Sequence, residues 1–145
     1  MSARINLAHA FDFESLCCLD HSCNSDQARR KSIRNAISEN RVWVLRDTDQ
    51  IIGYGSIYHE FFDRSFMAMV YIGVEYRNRG FGVQLIEFLE TQCRSKELFT
   101  STNESNAHMR HVLAKLGYRE SGIIENLDPG DPEIIYVKQI ASDCT

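Results

Sequence analysis

The chain has 145 residues, 43% hydrophobic and 25% charged, with 8 Gly, 2 Pro and 5 Cys, which is room for one hydrophobic core and a single domain over residues 1–145. Twenty Asp+Glu against sixteen Lys+Arg give a formal net charge of -4, so no broad basic field offers itself to a nucleic-acid backbone and no nucleic-acid partner is expected. The apolar stretch FMAMVYIGV at 66–74 falls far short of the ~18 residues that span a bilayer, and Asp12 and Glu14 interrupt any secretory h-region; no membrane partner and a cytoplasmic location are the expectations.

Asp12 is placed to cap a first helix running to about Leu19, with Phe13, Leu16 and Cys17 at helical spacing. DHSCNS at 20–25 reads as a loop. Ser25 then caps a second helix to about Asn40, with Ala28, Ile33, Ala36 and Ile37 on one face and Arg29, Arg30 and Lys31 on a solvated one. From Arg41 the period changes to two. RVWVLRD, the turn TDQ and IIGYGSIYH predict a hairpin, FFDRS turns the chain, and FMAMVYIGV is a third strand. A helix follows over about 80–94 with Leu85, Ile86, Phe88 and Leu89 buried, then a short strand ELFTST, and a helix capped by Ser105 that closes at Gly117. YRESGII and EIIYVKQI, joined by the turn-forming ENLDPGDP, are the last two strands. The order is α-α-β-β-β-α-β-α-β-β, with an optional strand at 3–8. That predicts an α/β (α+β) fold with a central mixed, mostly antiparallel sheet flanked by helices.

The five cysteines, Cys17, Cys18, Cys23, Cys93 and Cys144, contain no C-x-x-C pair and no matching His spacing. They predict reduced side chains and no metal.

The segment that carries chemistry is Tyr71-Ile72-Gly73-Val74-Glu75-Tyr76-Arg77-Asn78-Arg79-Gly80-Phe81-Gly82-Val83, where a strand passes through a charged, glycine-bearing turn into a helix. Two glycines at a helix start cost about 1 kcal/mol each relative to alanine and call for a reason. Close approach of a ligand to bare backbone is one. The first N–H groups of a helix lack intrahelical partners and sit at the positive end of its dipole, so such a turn can hold a pyrophosphate, with Arg77 and Arg79 adding local charge. A tight strand-to-helix connection with solvated arginines is the alternative. A P-loop is absent, and a dinucleotide fingerprint from Gly80 would need glycine where Leu85 stands.

Arg77-x-x-Gly80-x-Gly82, after a strand and opening an amphipathic helix, resembles the acetyl-CoA loop of the GNAT superfamily of N-acyltransferases. Asn106 followed by Lys115-Leu116-Gly117-Tyr118 resembles that superfamily's next helix, and the element order agrees over essentially the whole chain. The resemblance implies that the backbone of Val70, Tyr71 and Ile72 pairs with the pantetheine amides, and that Asn78, Arg79, Gly80, Phe81, Gly82 and Val83, beside Arg77, bind the pyrophosphate. It implies that Asn106 bonds the pantetheine arm, with a plain helix-start role as the alternative. Arg110 and Leu113, at i+4 and i+7 from Asn106, would line the same groove.

The sequence also departs from that pattern. The tyrosine that many relatives use as general acid falls at Leu113, and a glutamate of some relatives falls at Ser101. Direct transfer still needs only a neutral amine near the thioester, a route for its proton and donors to the developing oxyanion. Glu60 is the first candidate base, with His59, Tyr71 and Glu104 behind it. The loop Glu125–Glu133 carries Glu125, Asp128, Asp131 and Glu133 and no basic residue; it reads either as a steering surface for a cationic amine or as solvated turn chemistry. The resemblance implies acetyl transfer from acetyl-CoA to a primary amine, with a non-catalytic acyl-CoA-binding module as the alternative and a homodimer as the expected assembly.

Overall fold

A computed structural model describes residues 3–140; Cys144 lies outside the described residues. The strands are β1 (Ala3–Leu7), β2 (Val42–Asp47), β3 (Gln50–Phe61), β4 (Arg64–Ile72), β5 (Glu97–Asn103), β6 (Arg119–Ile124) and β7 (Glu133–Gln139), and the helices α1 (Phe13–Leu19), α2 (Gln27–Ser38), α3 (Phe81–Thr91) and α4 (Ala107–Lys115). One seven-stranded sheet has the order β1-β2-β3-β4-β5-β7-β6. The β1–β2, β2–β3, β5–β7 and β6–β7 pairings are antiparallel and β4–β5 is parallel. The predicted α/β order therefore holds, with the optional first strand present.

Two compact units divide the chain, Met1–Ile57 with Met69–Thr91, and Tyr58–Ala68 with Gln92–Thr145. In the first, successive residues of β3 face opposite sides of the sheet. Tyr54 meets the α1–α2 side through a 2.5 Å bond from its hydroxyl to Asp20. Gly55 meets α3, and a Cβ there would lie 2.8 Å from Leu89 Cδ1 and 2.9 Å from the Met69 carbonyl, so this strand position is glycine because helix and neighbouring strand press on it. Leu85, Ile86 and Leu89 of α3 are fully buried, and Phe88 sets its ring edge-on to Trp43, centroids 4.9 Å apart.

In the second unit, β5 alternates: Leu98, Thr100 and Thr102 are buried, while Phe99, Ser101 and Asn103 are half-buried on the other face. Phe61 bridges Phe66 and Phe99, with centroids 4.8 and 5.2 Å away. The β3–β4 turn places Phe62 and Asp63 at φ 51 and 65, the two left-handed residues of a tight hairpin turn.

Several local expectations are corrected. Asp26, not Ser25, caps α2, accepting from the Arg29 amide. Asn106, not Ser105, caps α4, accepting from the Met109 amide. A short 3-10 turn over His21–Asn24 occupies the expected loop. Asp12 makes no side-chain cap to α1; its carboxylate instead accepts from the His9 amide and pairs with Arg46 at 2.8 Å. Ile33, Ala36 and Ile37 are buried on α2 but Ala28 is exposed.

Arg29 leaves the solvated face assigned to it. Its guanidinium donates to Asp20 Oδ2 from Nε at 3.2 Å and Nη2 at 2.7 Å, and the Asp20 side chain is 0% exposed. A buried carboxylate demands such partners.

Candidate functional site

The junction from β4 to α3 is built for an open backbone. Gly73 is closely packed: a Cβ would meet Leu19 Cδ1 at 2.5 Å and Tyr76 Cδ2 at 3.2 Å, so those side chains would have to give way. Gly80 is required by conformation. Its φ is +85 and nothing lies within 4 Å of the Cβ it lacks, while a Cβ at Gly82 would meet only Ile72 Cγ1 at 3.9 Å. Asn78 also has positive φ, 64, a conformation that its short polar side chain tolerates. The first helical bond runs from the Gln84 amide to the Gly80 carbonyl at 3.1 Å. By helix geometry the amides of Phe81, Gly82 and Val83 then lack intrahelical acceptors. Residues 77–80 are exposed and 81–83 half-buried. An uncovered row of N–H groups at the positive end of an 11-residue helix fits the diphosphate of an acyl-CoA.

Both arginines of the loop also make contacts within the protein. Arg77 Nε donates to the Ile72 carbonyl at 2.8 Å, and its guanidinium lies 5.2 Å from the Tyr71 ring centroid. Arg79 sits 6.0 Å from the Tyr76 ring. Arg77 thus ties the loop to the end of β4 through the Ile72 carbonyl and the Tyr71 ring. Val70, Tyr71 and Ile72 are half-buried, and the Tyr71 hydroxyl donates to the Leu19 carbonyl at 3.4 Å.

In the other unit, exposed Asn106 begins α4. Its side-chain oxygen accepts from Met109 N at 3.1 Å, the helix-start role, and its amide group carries further donors. Leu113 does not line a groove: it is 1% exposed, a core residue. Arg110 donates to the Tyr136 hydroxyl, the Glu104 carbonyl and Glu120, each at 3.1 Å. Bonds to Tyr136 and then Glu120 hold its guanidinium even more firmly protonated than usual.

Ser101 donates to Glu133 Oε2 at 2.6 Å, so a carboxylate from β7 stands beside the position where the resemblance found none on β5. Asp131 accepts from the Ser105 amide at 3.0 Å and its hydroxyl at 2.6 Å, and Asp128 accepts from Asn103 Nδ2 at 2.9 Å. Half of the acidic loop's carboxylates therefore fasten it to the β5–α4 connection. Glu60 lies near the end of β3, next to the Phe62–Asp63 turn; it is exposed, and its Oε1 accepts from the His59 amide at 3.2 Å. His59 Nδ1 is 2.8 Å from Ser65 Oγ, which itself accepts from the Arg94 amide at 2.9 Å.

Sequence reasoning missed the cluster of Asp20, Arg29 and Tyr54. Burial, then the bond to Asp20, pushes the Tyr54 phenol well above its usual range. Burial lowers the Arg29 guanidinium, but bonds to Asp20 and Tyr54 outweigh it and leave it raised. Buried Cys23 is pushed up to about 12 by burial first and Cys17 second. These cysteines, and Cys18 and Cys93, are free thiols. Among the described residues no group of three or more His, Cys, Asp or Glu is placed to hold a metal, and no helix is long and apolar enough to cross a membrane.

Comparison with known proteins agrees with this geometry. The model of the acetyltransferase (GNAT) family matches residues 9–118. A GNAT-family acetyltransferase from Bacillus cereus ATCC 10987 is similar at 30% identity and TM-score 0.89, over 98% of this chain and 100% of that one. The ribosomal-protein-S18-alanine N-acetyltransferase of Escherichia coli shares the fold at 17% identity and TM-score 0.83, over 97% and 96%. So does the PaiA N-acetyltransferase of Thermoplasma acidophilum in complex with coenzyme A, at 17% identity and TM-score 0.74, over 96% and 99%. No curated protein matches the chain. With a family model matching residues 9–118 and a GNAT-family relative at 30% identity spanning nearly the whole of both chains, the chain belongs to the GNAT family of acetyltransferases.

Proposed function

We propose that the protein transfers the acetyl group of acetyl-CoA to a primary amine by direct attack in a ternary complex. The observation that carries the reading is the exposed start of α3, with Gly80 at φ +85 and nothing within 4 Å of the Cβ it lacks, and with a Cβ at Gly82 meeting only Ile72 Cγ1 at 3.9 Å. Amides of residues 78–83 hold the pyrophosphate, and Arg77 supplies charge to it. The pantetheine arm adds itself along Val70, Tyr71 and Ile72 of β4 by ladder bonds, and Asn106 offers its amide to the arm. Nucleophilic attack by a neutral amine forms the N–C bond, the C–S bond breaks, and coenzyme A leaves as a thiolate, a good enough leaving group to depart without the tyrosine replaced by Leu113.

Glu60 stays in this reading as a base acting through water. Ile123, Ile124 and Leu127 are 54, 41 and 60% exposed on β6 and its following loop, apolar side chains that a second copy would cover in a homodimer pairing at this end of the sheet. A non-catalytic acyl-CoA-binding module is the second reading, favoured by the burial of Leu113.

Binding is tested by thermal stabilisation. Acetyl-CoA at 100 times its Kd should add about 2.7 kcal/mol, and Gly82→Trp, at a position where an added Cβ meets only Ile72 Cγ1 at 3.9 Å, should abolish the shift by covering the amides. A full shift in Gly82→Trp would remove the loop from the site. Acceptor-dependent thiol release separates the enzyme from the binding module.

A further inference from the structure

Helix α2 carries a charge distribution that its own stability does not call for. In a chain of net charge -4, its sequence QARRKSIRNAIS holds Arg29, Arg30, Lys31 and Arg34 and no carboxylate. Arg29, Arg30 and Lys31 crowd the start of the helix, where the positive end of its dipole disfavours cations. Arg29 is accounted for by buried Asp20. The others are not. Arg30 meets the 75% exposed Glu14 carboxylate at 3.6 Å, a contact of little worth in water. Lys31 and Arg34 are exposed, and neither makes an ion pair among the described residues.

The cations are nevertheless arranged. Arg30 and Arg34, one helical turn apart, both place their guanidinium over the ring of buried Phe13, 5.1 and 4.2 Å from its centroid. A planar guanidinium resting on a fixed ring is aimed before a ligand arrives and gives up less freedom on binding. Lys31, three residues before Arg34, completes the same face.

On the turn beside this helix stands an exposed aromatic ring. The 3-10 turn Ala10–Asp12 packs on α2, and its middle residue, Phe11, is 79% exposed. The ring stacks on His9, centroids 5.2 Å apart and planes inclined by 22°, so one face is covered and the other is open. A lone exposed phenylalanine is ordinary. One that is braced by a neighbouring ring, on a turn packed against preset cations, has the make-up of a binding anchor. All of these residues belong to the first compact unit.

Charge and ring together select the occupant. A nucleic-acid backbone needs a broad basic field, and three cations in a chain of net charge -4 do not make one. A membrane surface asks for several large apolar side chains beside the cations, and this turn and α2 expose one, Phe11. A polypeptide segment with carboxylates and one apolar side chain matches both features. Its carboxylates accept from the guanidinium forks, and its apolar side chain covers the open face of the Phe11 ring.

We propose that Phe11, Arg30, Lys31 and Arg34 form a docking surface for an acidic peptide segment of a partner protein. This surface is independent of the acetyl-transfer reading and stands or falls without it.

The test is fluorescence anisotropy with labelled peptides and the full chain at low salt. One peptide alternates Glu and Gly around a central Leu, and a second replaces every Glu by Lys. Oligo-deoxythymidylate and phosphatidylserine vesicles are the competing probes. Wild type should bind the Glu peptide and not the Lys peptide. The double variant Lys31→Glu, Arg34→Glu should weaken the Glu peptide at least ~10-fold and should now bind the Lys peptide, an exchange of preference that a damaged fold does not produce. Phe11→Ala should weaken the Glu peptide ~5-fold or more. No saturable binding of the Glu peptide to wild type, or equal binding by the double variant, overturns the proposal. Should the double variant not fold, Phe11→Ala decides, and unchanged affinity there overturns the peptide assignment. Tighter binding of the oligonucleotide or the vesicles than of the Glu peptide, lost in the same variants, gives the face to a nucleic acid or a membrane and overturns it too.

Discussion

Replacing Asp20 with alanine is expected to be among the most destabilising single changes in the molecule. The carboxylate is 0% exposed and accepts the Tyr54 hydroxyl at 2.5 Å and the Arg29 guanidinium at 2.7 and 3.2 Å. Removing it leaves a phenol in a residue that is 1% exposed without that acceptor, and a largely covered guanidinium without its counter-charge. Breaking a buried pair from one side costs about 3–5 kcal/mol, against a total stability of about 5–15 kcal/mol for a domain. At about 3–4 °C per kcal/mol for a chain of this size, the melting temperature should fall by roughly 10–20 °C. Asp20→Asn, which keeps an oxygen for Tyr54 but no charge, should fall between the two. The assay is thermal and urea unfolding at pH 7.5. A melting temperature for Asp20→Ala within about 3 °C of wild type would refute the reasoning, because no buried carboxylate with those partners is that cheap to remove.

Alkaline stability follows from the same region. The Cys23 thiol is raised from 9.0 to about 12 in the fold, and the Tyr54 phenol is raised as well. Each group binds its proton more tightly folded than unfolded, so its contribution is complete below its unfolded pKa and is lost as pH rises above it. Between pH 9 and 11 Cys23 alone should remove up to about 3 kcal/mol, and Cys23→Ala should flatten that decline in urea melts; superimposable declines would contradict it. In the acidic loop, Asp131→Asn should cost about 1 kcal/mol by loosening its two bonds from Ser105, whereas Asp128→Asn, with a single bond from Asn103, should stay within about 0.5 kcal/mol; equal losses would contradict the anchoring role.

Elements with strong periodicity were legible in the sequence: the hairpin after Arg41, the buried Leu85, Ile86 and Leu89 stripe, and the strand–turn–helix loop around Gly80. Both helix caps shifted by one residue because Ser and its polar neighbour compete for the same amides, and Asp26 and Asn106 reach them while Ser105 is drawn off to Asp131. Arg29 was misread because helical spacing shows a polar residue next to polar residues. Only the fold brings buried Asp20 and Tyr54 against it. The Ser101–Glu133 contact joins residues 32 positions apart, a separation at which no local pattern survives. Leu113 shows the reverse case, where the identity that breaks the family pattern is explained by simple burial.

The most direct test of the central claim is acetyl-CoA-dependent thiol release by the purified protein across a panel of primary amines, with acetyl-CoA saturation verified by the thermal shift. The account predicts thiol release that requires both the amine and acetyl-CoA, yields the N-acetylated product by mass spectrometry, and is lost in Gly82→Trp. Saturated acetyl-CoA binding with no acetylated product from any amine would contradict it.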